Sequence, residues 1–166
     1  TVVILDRPRH EEIVKQIRET GARIKFITDG DVAGALMTAM PETGVNLLLG
    51  IGGAPEGVIA ACALKALGGN IQARIWPRNE AEWEIVREEG LDSNAVLTMN
   101  DMVKSDNTFF AATGITDGEL LRGVRYTPHG VVTQSLVTRS RSGTARFIEA
   151  THQLSKLRQY SAVDFG

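Results

Sequence analysis

The chain changes hydrophobic period repeatedly along its first half, and this alternation restricts the fold more than any single motif does. Residues 1–5 (Thr1-Val2-Val3-Ile4-Leu5) are apolar at nearly every position and rich in β-branched side chains, as in a strand buried on both faces. A helix is expected over 9–20, with Ile13, Val14 and Ile17 as its apolar stripe. Glu11 and Lys15 sit at i,i+4, and Gly21 is placed to end it. Residues 23–27 read as a second strand. A second helix follows over 31–39, with Val32, Leu36 and Met40 at fourfold spacing and Pro41 as its stop. The third strand is expected over 45–51. The third helix opens near Pro55, is apolar almost all round between Val58 and Leu64, so should be buried, and ends at Gly68-Gly69. Residues 70–76 read as a fourth strand. Asn79 with Glu82 three residues later forms a capping box for a helix that ends at Gly90. Such β-α-β-α-β-α-β-α order predicts an α/β fold: a layered, mostly parallel sheet with helices on both faces and right-handed crossovers.

The final third departs from this order. Residues 108–115 read as a strand, and 131–139 with 144–151 as an antiparallel hairpin turning at Arg141-Ser142-Gly143. The expected organisation is one domain over 1–152 and a polar, fraying tail over 153–166. With 166 residues, 43% of them hydrophobic, the chain is long enough for a real core. Its 18 basic and 20 acidic residues give a net charge of -2, which implies no nucleic-acid partner. A single cysteine, Cys62, excludes an intrachain disulfide and a multi-cysteine zinc site, and its apolar helix marks it as inert. The longest apolar run is too short to span a membrane, no secretory signal opens the chain, and a cytoplasmic setting is expected. The chain enters its first strand at Thr1 with no methionine before it. Trimming is one reading; the back half of a longer protein is the other, and the site chemistry favours the second.

Ligands of open α/β sheets sit beyond the carboxyl ends of the strands, so the segments after the strands are the place for chemistry. After the first strand come Arg7, Pro8 and Arg9, two guanidiniums flanking a rigid proline, which can grip a phosphate with forked hydrogen bonds. The alternative is a plain solvated helix start; basic residues oppose the dipole there, which puts the two readings on an equal footing. After the second strand, Asp29-Gly30-Asp31 sets two carboxylates at a helix start. One suffices for capping; the other is free for sugar hydroxyls or a hard metal ion. After the third strand, Gly50-Ile51-Gly52-Gly53-Ala54-Pro55-Glu56-Gly57 lets a ligand approach bare backbone at a helix N-terminus. Glu56 lies in that helix's first turn. A tight turn explains one of these glycines, not the string. The dinucleotide fingerprint is broken, because its third glycine would fall on Pro55. The segment 113–118 (Thr113-Gly114-Ile115-Thr116-Asp117-Gly118) reads alone as a turn, although as a fourth segment it would share the same edge. His10, His129 and His152 have no ligand spacing and read as surface or packing residues. Trp76 and Trp83 read as core. Together the segments describe a site for an anionic polyol with too few carboxylates to hold two metal ions.

Leu5-Asp6-Arg7-Pro8-Arg9-His10, Asp29-Gly30-Asp31-Val32-Ala33, the string 50–57, and Ala111-Ala112 followed by 113–118 occur in this order. In them the chain resembles the C-terminal half of the bacterial class II fructose-1,6-bisphosphatases, the GlpX type, over nearly all of its length to about His152. Cyanobacterial members also act on sedoheptulose 1,7-bisphosphate. The resemblance implies the C-terminal part of the sugar-phosphatase fold and hydrolysis of the 1-phosphate of fructose 1,6-bisphosphate, a gluconeogenic step, with Mn²⁺ or Mg²⁺. It implies substrate binding by Arg7, Pro8, Arg9, Asp29, Gly30, Asp31 and Gly53, and metal binding by Glu56. It places no catalytic residue in this half. The remaining metal ligands belong to the N-terminal half, so that half is an expected partner, a homo-oligomer is expected, and the chain alone should be inactive. Two other classes stand beside this reading: a non-catalytic sugar-phosphate-binding module, and a nucleotide-binding α/β domain, which the broken fingerprint disfavours.

Overall fold

The computed structural model describes residues 1–161. Its first strand, β1 (Val2–Leu5), buries all four side chains, and the two faces serve different helices. Val2 and Ile4 pack with Ile17 of α1 (Glu11–Glu19). Val3 packs with Met37 of α2 (Asp31–Met37) and with Val45. β1 lies between β2 (Ile24–Ile27) and β3 (Leu47–Leu48) and runs parallel to both. Helices thus cover both faces of this sheet, and the carboxyl ends of its three strands open on one edge, as the alternation predicts.

A helical layer follows. α2 buries Gly34, Ala35, Leu36 and Met37, and a Cβ on Gly34 would stand 3.0 Å from Leu48 Cδ1 and 3.1 Å from Ile27 Cδ1. The glycine lets the helix lie directly on the sheet. α3 (Ala54–Leu67) meets α2 where Ala60 and Leu64 pack against Ala35. On its other side Ala63 joins Leu36, Met40, Phe110, Leu121 and Leu136. The helix is not buried all round, however: Val58 and Ile59 near its start are 42% and 46% exposed.

The parallel order stops at β3, which corrects the expectation of a mostly parallel sheet. β4 (Gln72–Ala73) pairs antiparallel with β5 (Leu97–Thr98) in a separate ribbon. The reason is legible in its burial. Ile71, Ala73 and Ile75 are half-buried while Gln72, Arg74 and Trp76 are exposed, the alternation of a one-faced strand rather than of a parallel one buried on both sides. α4 (Glu80–Glu88) connects the two strands of the ribbon in sequence, and α5 (Met99–Met102) follows the second. Trp76 and Trp83 are 67% and 38% exposed, not core: Trp76 falls on the exposed parity, and α4 buries only Val86.

The last sheet is antiparallel. β8 (Gly130–Arg139) pairs with β6 (Phe109–Thr113), β7 (Arg125–Thr127) and β9 (Thr144–His152). The β8–β9 hairpin is where the sequence puts it, with Arg139 opposite Thr144 and Gly143 left-handed at φ +57°. Within the polar tail, Leu154–Tyr160 forms a helix, α6; the part of the fraying expectation that concerns 162–166 lies outside the described residues. No helix among the described residues is long and apolar enough to cross a membrane.

Candidate functional site

The three loops that leave the parallel sheet meet at its edge. After β1, Arg7 is extended and Pro8 opens a single turn of 3₁₀ helix, Pro8–His10. Proline fits a first helical position because its missing N–H has no partner there anyway. Arg7, Pro8 and Arg9 are exposed and His10 is buried. Arg7 Nη1 donates to the Asp6 carbonyl at 3.1 Å. Arg9 Nε donates to the Ile51 carbonyl at 2.8 Å, which binds the first loop to the third between residues 42 positions apart in the chain.

After β2, Gly30 takes the left-handed conformation (φ +79°) and is itself the N-cap of α2, with no side-chain capping bond. Neither aspartate therefore caps in the usual way, which corrects the capping alternative. Asp31 is the first helical residue, and its Oδ1 accepts from the Val32 N–H at 2.9 Å. Its Oδ2 faces the third loop: a Cβ on Gly52 would stand 2.9 Å from it. Asp29 and Gly30 are exposed beside it.

After β3, Gly53 is the N-cap of α3, with Pro55 and Glu56 in the first turn. The Glu56 side chain folds back so closely that a Cβ on Gly53 would overlap Oε2. Three of the four glycines of this string thus serve close approach, Gly50 to His10, Gly52 to Asp31 and Gly53 to Glu56, while Gly57 faces open space. The edge brings together Arg9, Asp31, Glu56, the Ile51 backbone and the free amides opening α3. Arg7, Pro8, Asp29 and Gly30 lie on the same loops and stay open to solvent.

The segment 113–118 is not part of this edge, because β6 belongs to the antiparallel sheet. It closes on itself instead. Gly123 N–H donates to Asp117 Oδ1 at 2.9 Å, Gly118 N–H to the Leu121 carbonyl at 2.9 Å, and a Cβ on Gly114 would overlap the Arg122 carbonyl. The turn reading holds for it.

The three loops together carry two guanidiniums, Arg7 and Arg9, and three carboxylates, Asp29, Asp31 and Glu56. A phosphate-bearing ligand would add negative charge to a site already balanced toward acid, so its charge calls for a cation. The Glu56 carboxylate is exposed and takes no hydrogen bond or ion pair among the described residues. A free, hard oxygen donor of this kind suits Mg²⁺ or Mn²⁺. One carboxylate fills at most two of about six positions on such an ion, and no group of three His, Cys, Asp or Glu converges among the described residues. Glu56 fits such an ion as one ligand of an incomplete set. His10, whose ring joins two of the loops, was not singled out by its spacing; its place directly after the arginine pair was the available signal.

The site is thus an α/β sheet edge carrying two arginines, a glycine-rich turn at a helix start and a carboxylate without a partner among the described residues. Comparison with known proteins makes this specific. The family model described as bacterial fructose-1,6-bisphosphatase, glpX-encoded, matches residues 1–152. Fructose-1,6-bisphosphatase class 2 of Haemophilus influenzae is 42% identical over 170 residues, covering 95% of this chain and 51% of the relative. Two proteins of Synechococcus sp., strains JA-3-3Ab and JA-2-3B'a(2-13), are each named D-fructose 1,6-bisphosphatase class 2/sedoheptulose 1,7-bisphosphatase. Each is 43% identical over 165 residues, covering 92% of this chain and 48% of the relative. The chain belongs to the bacterial, glpX-encoded fructose-1,6-bisphosphatase family. It spans about half the length of the curated relatives it matches.

Proposed function

We propose that the chain is the sugar-phosphate-binding half of a class II fructose-1,6-bisphosphatase, which hydrolyses the 1-phosphate of fructose 1,6-bisphosphate to give fructose 6-phosphate. Arg7 and Arg9 grip a phosphate, with Pro8 fixing their separation. Asp29 and Asp31 accept from sugar hydroxyls around Gly30, and Gly53 admits the substrate to bare backbone. Glu56 is one ligand of the Mn²⁺ or Mg²⁺ that supplies Lewis-acid charge when bound. The observation that carries this reading is the meeting of the three loops at one sheet edge, with Arg9 on Ile51 and Asp31 against Gly52. Sedoheptulose 1,7-bisphosphate, named for the Synechococcus relatives, is the second candidate substrate. The setting is the cytoplasm and the role gluconeogenic.

The other metal ligands come from the preceding half of the enzyme, and this chain alone is inactive. Supporting this are the half-length match and the isolation of Glu56. Large apolar residues left uncovered also support it: Phe109 is 65% exposed, Phe147 54% and Tyr126 72%. The test is phosphate release from fructose 1,6-bisphosphate with Mn²⁺, by this chain alone and with the preceding half supplied. We expect none alone, turnover with both, and a fall of about a hundredfold or more in Glu56→Gln with the fold intact, since a metal carboxylate is lost. Turnover by the chain alone would overturn the half-site reading. Binding without turnover by the two halves together would make the protein a sugar-phosphate-binding module.

A further inference from the structure

Among the described residues, His10 is a fully buried titratable side chain, 0% exposed, to which the proposed reaction gives no part. Its Nδ1 lies 2.8 Å from the Leu5 carbonyl oxygen, and the Ile51 N–H donates to its Nε2 at 2.9 Å. A carbonyl only accepts and an amide only donates, so one form satisfies both: neutral imidazole with its proton on Nδ1. In that form the 3.2 Å approach of Nε2 to the Ile51 carbonyl is a contact between two acceptors, and Arg9 Nε supplies that carbonyl's proton at 2.8 Å. Consecutive side chains thus hold both backbone groups of Ile51. Gly50 completes the fit: a Cβ there would stand 3.3 Å from His10 Cε1 and 3.4 Å from Nε2, closer than most side chains tolerate.

The ring therefore spans from the end of β1 to the glycine turn that opens α3. A residue serving only to fill space would need neither nitrogen. We infer that His10 is a positioning residue of the anion site. It latches the 50–53 turn to the arginine segment, so that the Arg9 guanidinium and the amides opening α3 are held for one phosphate-bearing ligand. The identity of the ligand rests on the proposed function; the latch does not.

The experiment compares parent, His10→Phe and His10→Gln in the intact protein. Phenylalanine keeps a ring and loses both polar atoms; glutamine restores an acceptor toward Ile51. We expect His10→Phe to speed hydrogen exchange at the Ile51 amide at least about tenfold relative to α1 amides. It should raise KM for fructose 1,6-bisphosphate about tenfold while kcat changes less than about threefold. His10→Gln should recover a substantial part of both effects. The ring ¹⁵N spectrum of the parent should show a protonated Nδ1 and a bare Nε2, a reading that needs no variant to fold. The opposite tautomer, unchanged exchange at Ile51, or faster exchange with an unaltered KM would each overturn the inference. A parent that does not hydrolyse the bisphosphate would count against the proposed function instead, and the exchange and tautomer would still decide the latch.

Discussion

Gly53 and Gly130 are both glycine for want of room, but the obstacle differs. Gly53 has φ -71° and ψ 145°, which any residue adopts; a Cβ there would overlap only the far end of the Glu56 side chain. Gly53→Ala should therefore displace the carboxylate and leave the fold alone. Gly130 has φ +136°, and its Cβ would overlap the His152 carbonyl, which is backbone. Gly130→Ala should destabilise by about 1–3 kcal/mol through strain where β8 begins. Urea denaturation checks the pair: equal losses of stability would contradict the distinction. Two carboxylates elsewhere predict a pH response. Asp101 is held below the ordinary carboxylate range by hydrogen bonds from the Thr98 hydroxyl and backbone N–H. Glu82 is lowered by its hydrogen bonds from the Arg78 side chain and then from the Arg78 backbone N–H. A depressed folded value means stability present above the unfolded value of about 4 and lost as pH falls through the folded one. Carboxyl ¹³C titration should give each residue a midpoint below the ordinary value for its own type; a midpoint at or above that value would contradict these contacts.

At the scale of elements, Lys65 in the last turn of α3 fastens the helix to the α5 region. Its Nζ donates to Asn100 Oδ1 at 3.1 Å and to the Val103 carbonyl at 3.0 Å, and it pairs with Asp106 at 3.0 Å. The side chain is 14% exposed. Lys65→Met strands the Val103 carbonyl and should cost about 1–3 kcal/mol in urea denaturation; a loss near zero would show water taking the lysine's place. What the sequence revealed follows the range of the signal. β1, α1, β2 and α2 carry their periods locally and lie close to where they are expected. β4 lies inside the run expected to be a strand, but its antiparallel pairing with β5 is not that of the expected mostly parallel sheet, because the pairing depends on a partner distant in the chain. β5 pairs through two residues and α5 is one turn long, too short for any period to register. At Asn79 the cap is real, Oδ1 accepting from the Glu82 N–H at 3.0 Å, but the Glu82 carboxylate reaches Arg78 rather than closing the box. The candidate site was legible because a parallel sheet gathers its loops on one edge. The contacts that organise those loops, Arg9 and His10 with Ile51, join distant positions and leave no local pattern.

At the scale of the molecule, the antiparallel sheet runs on past its cover. Phe147 stands opposite Leu136, yet Leu136 is fully buried and Phe147 is 54% exposed. Phe109, with 65% exposure, sits under the Arg139 guanidinium at 5.1 Å from its ring centroid. Under the proposed function, this uncovered apolar surface is where the preceding half would pack. The most direct measurement is calorimetric titration of fructose 1,6-bisphosphate, with Mn²⁺ present, into this chain, which the account holds inactive alone, and into its Arg9→Ala variant. The account predicts one site per chain and an affinity loss of about 1.5–3 kcal/mol in Arg9→Ala, as for a charge-assisted contact. An affinity indifferent to Arg9, or no binding by the parent, would contradict it.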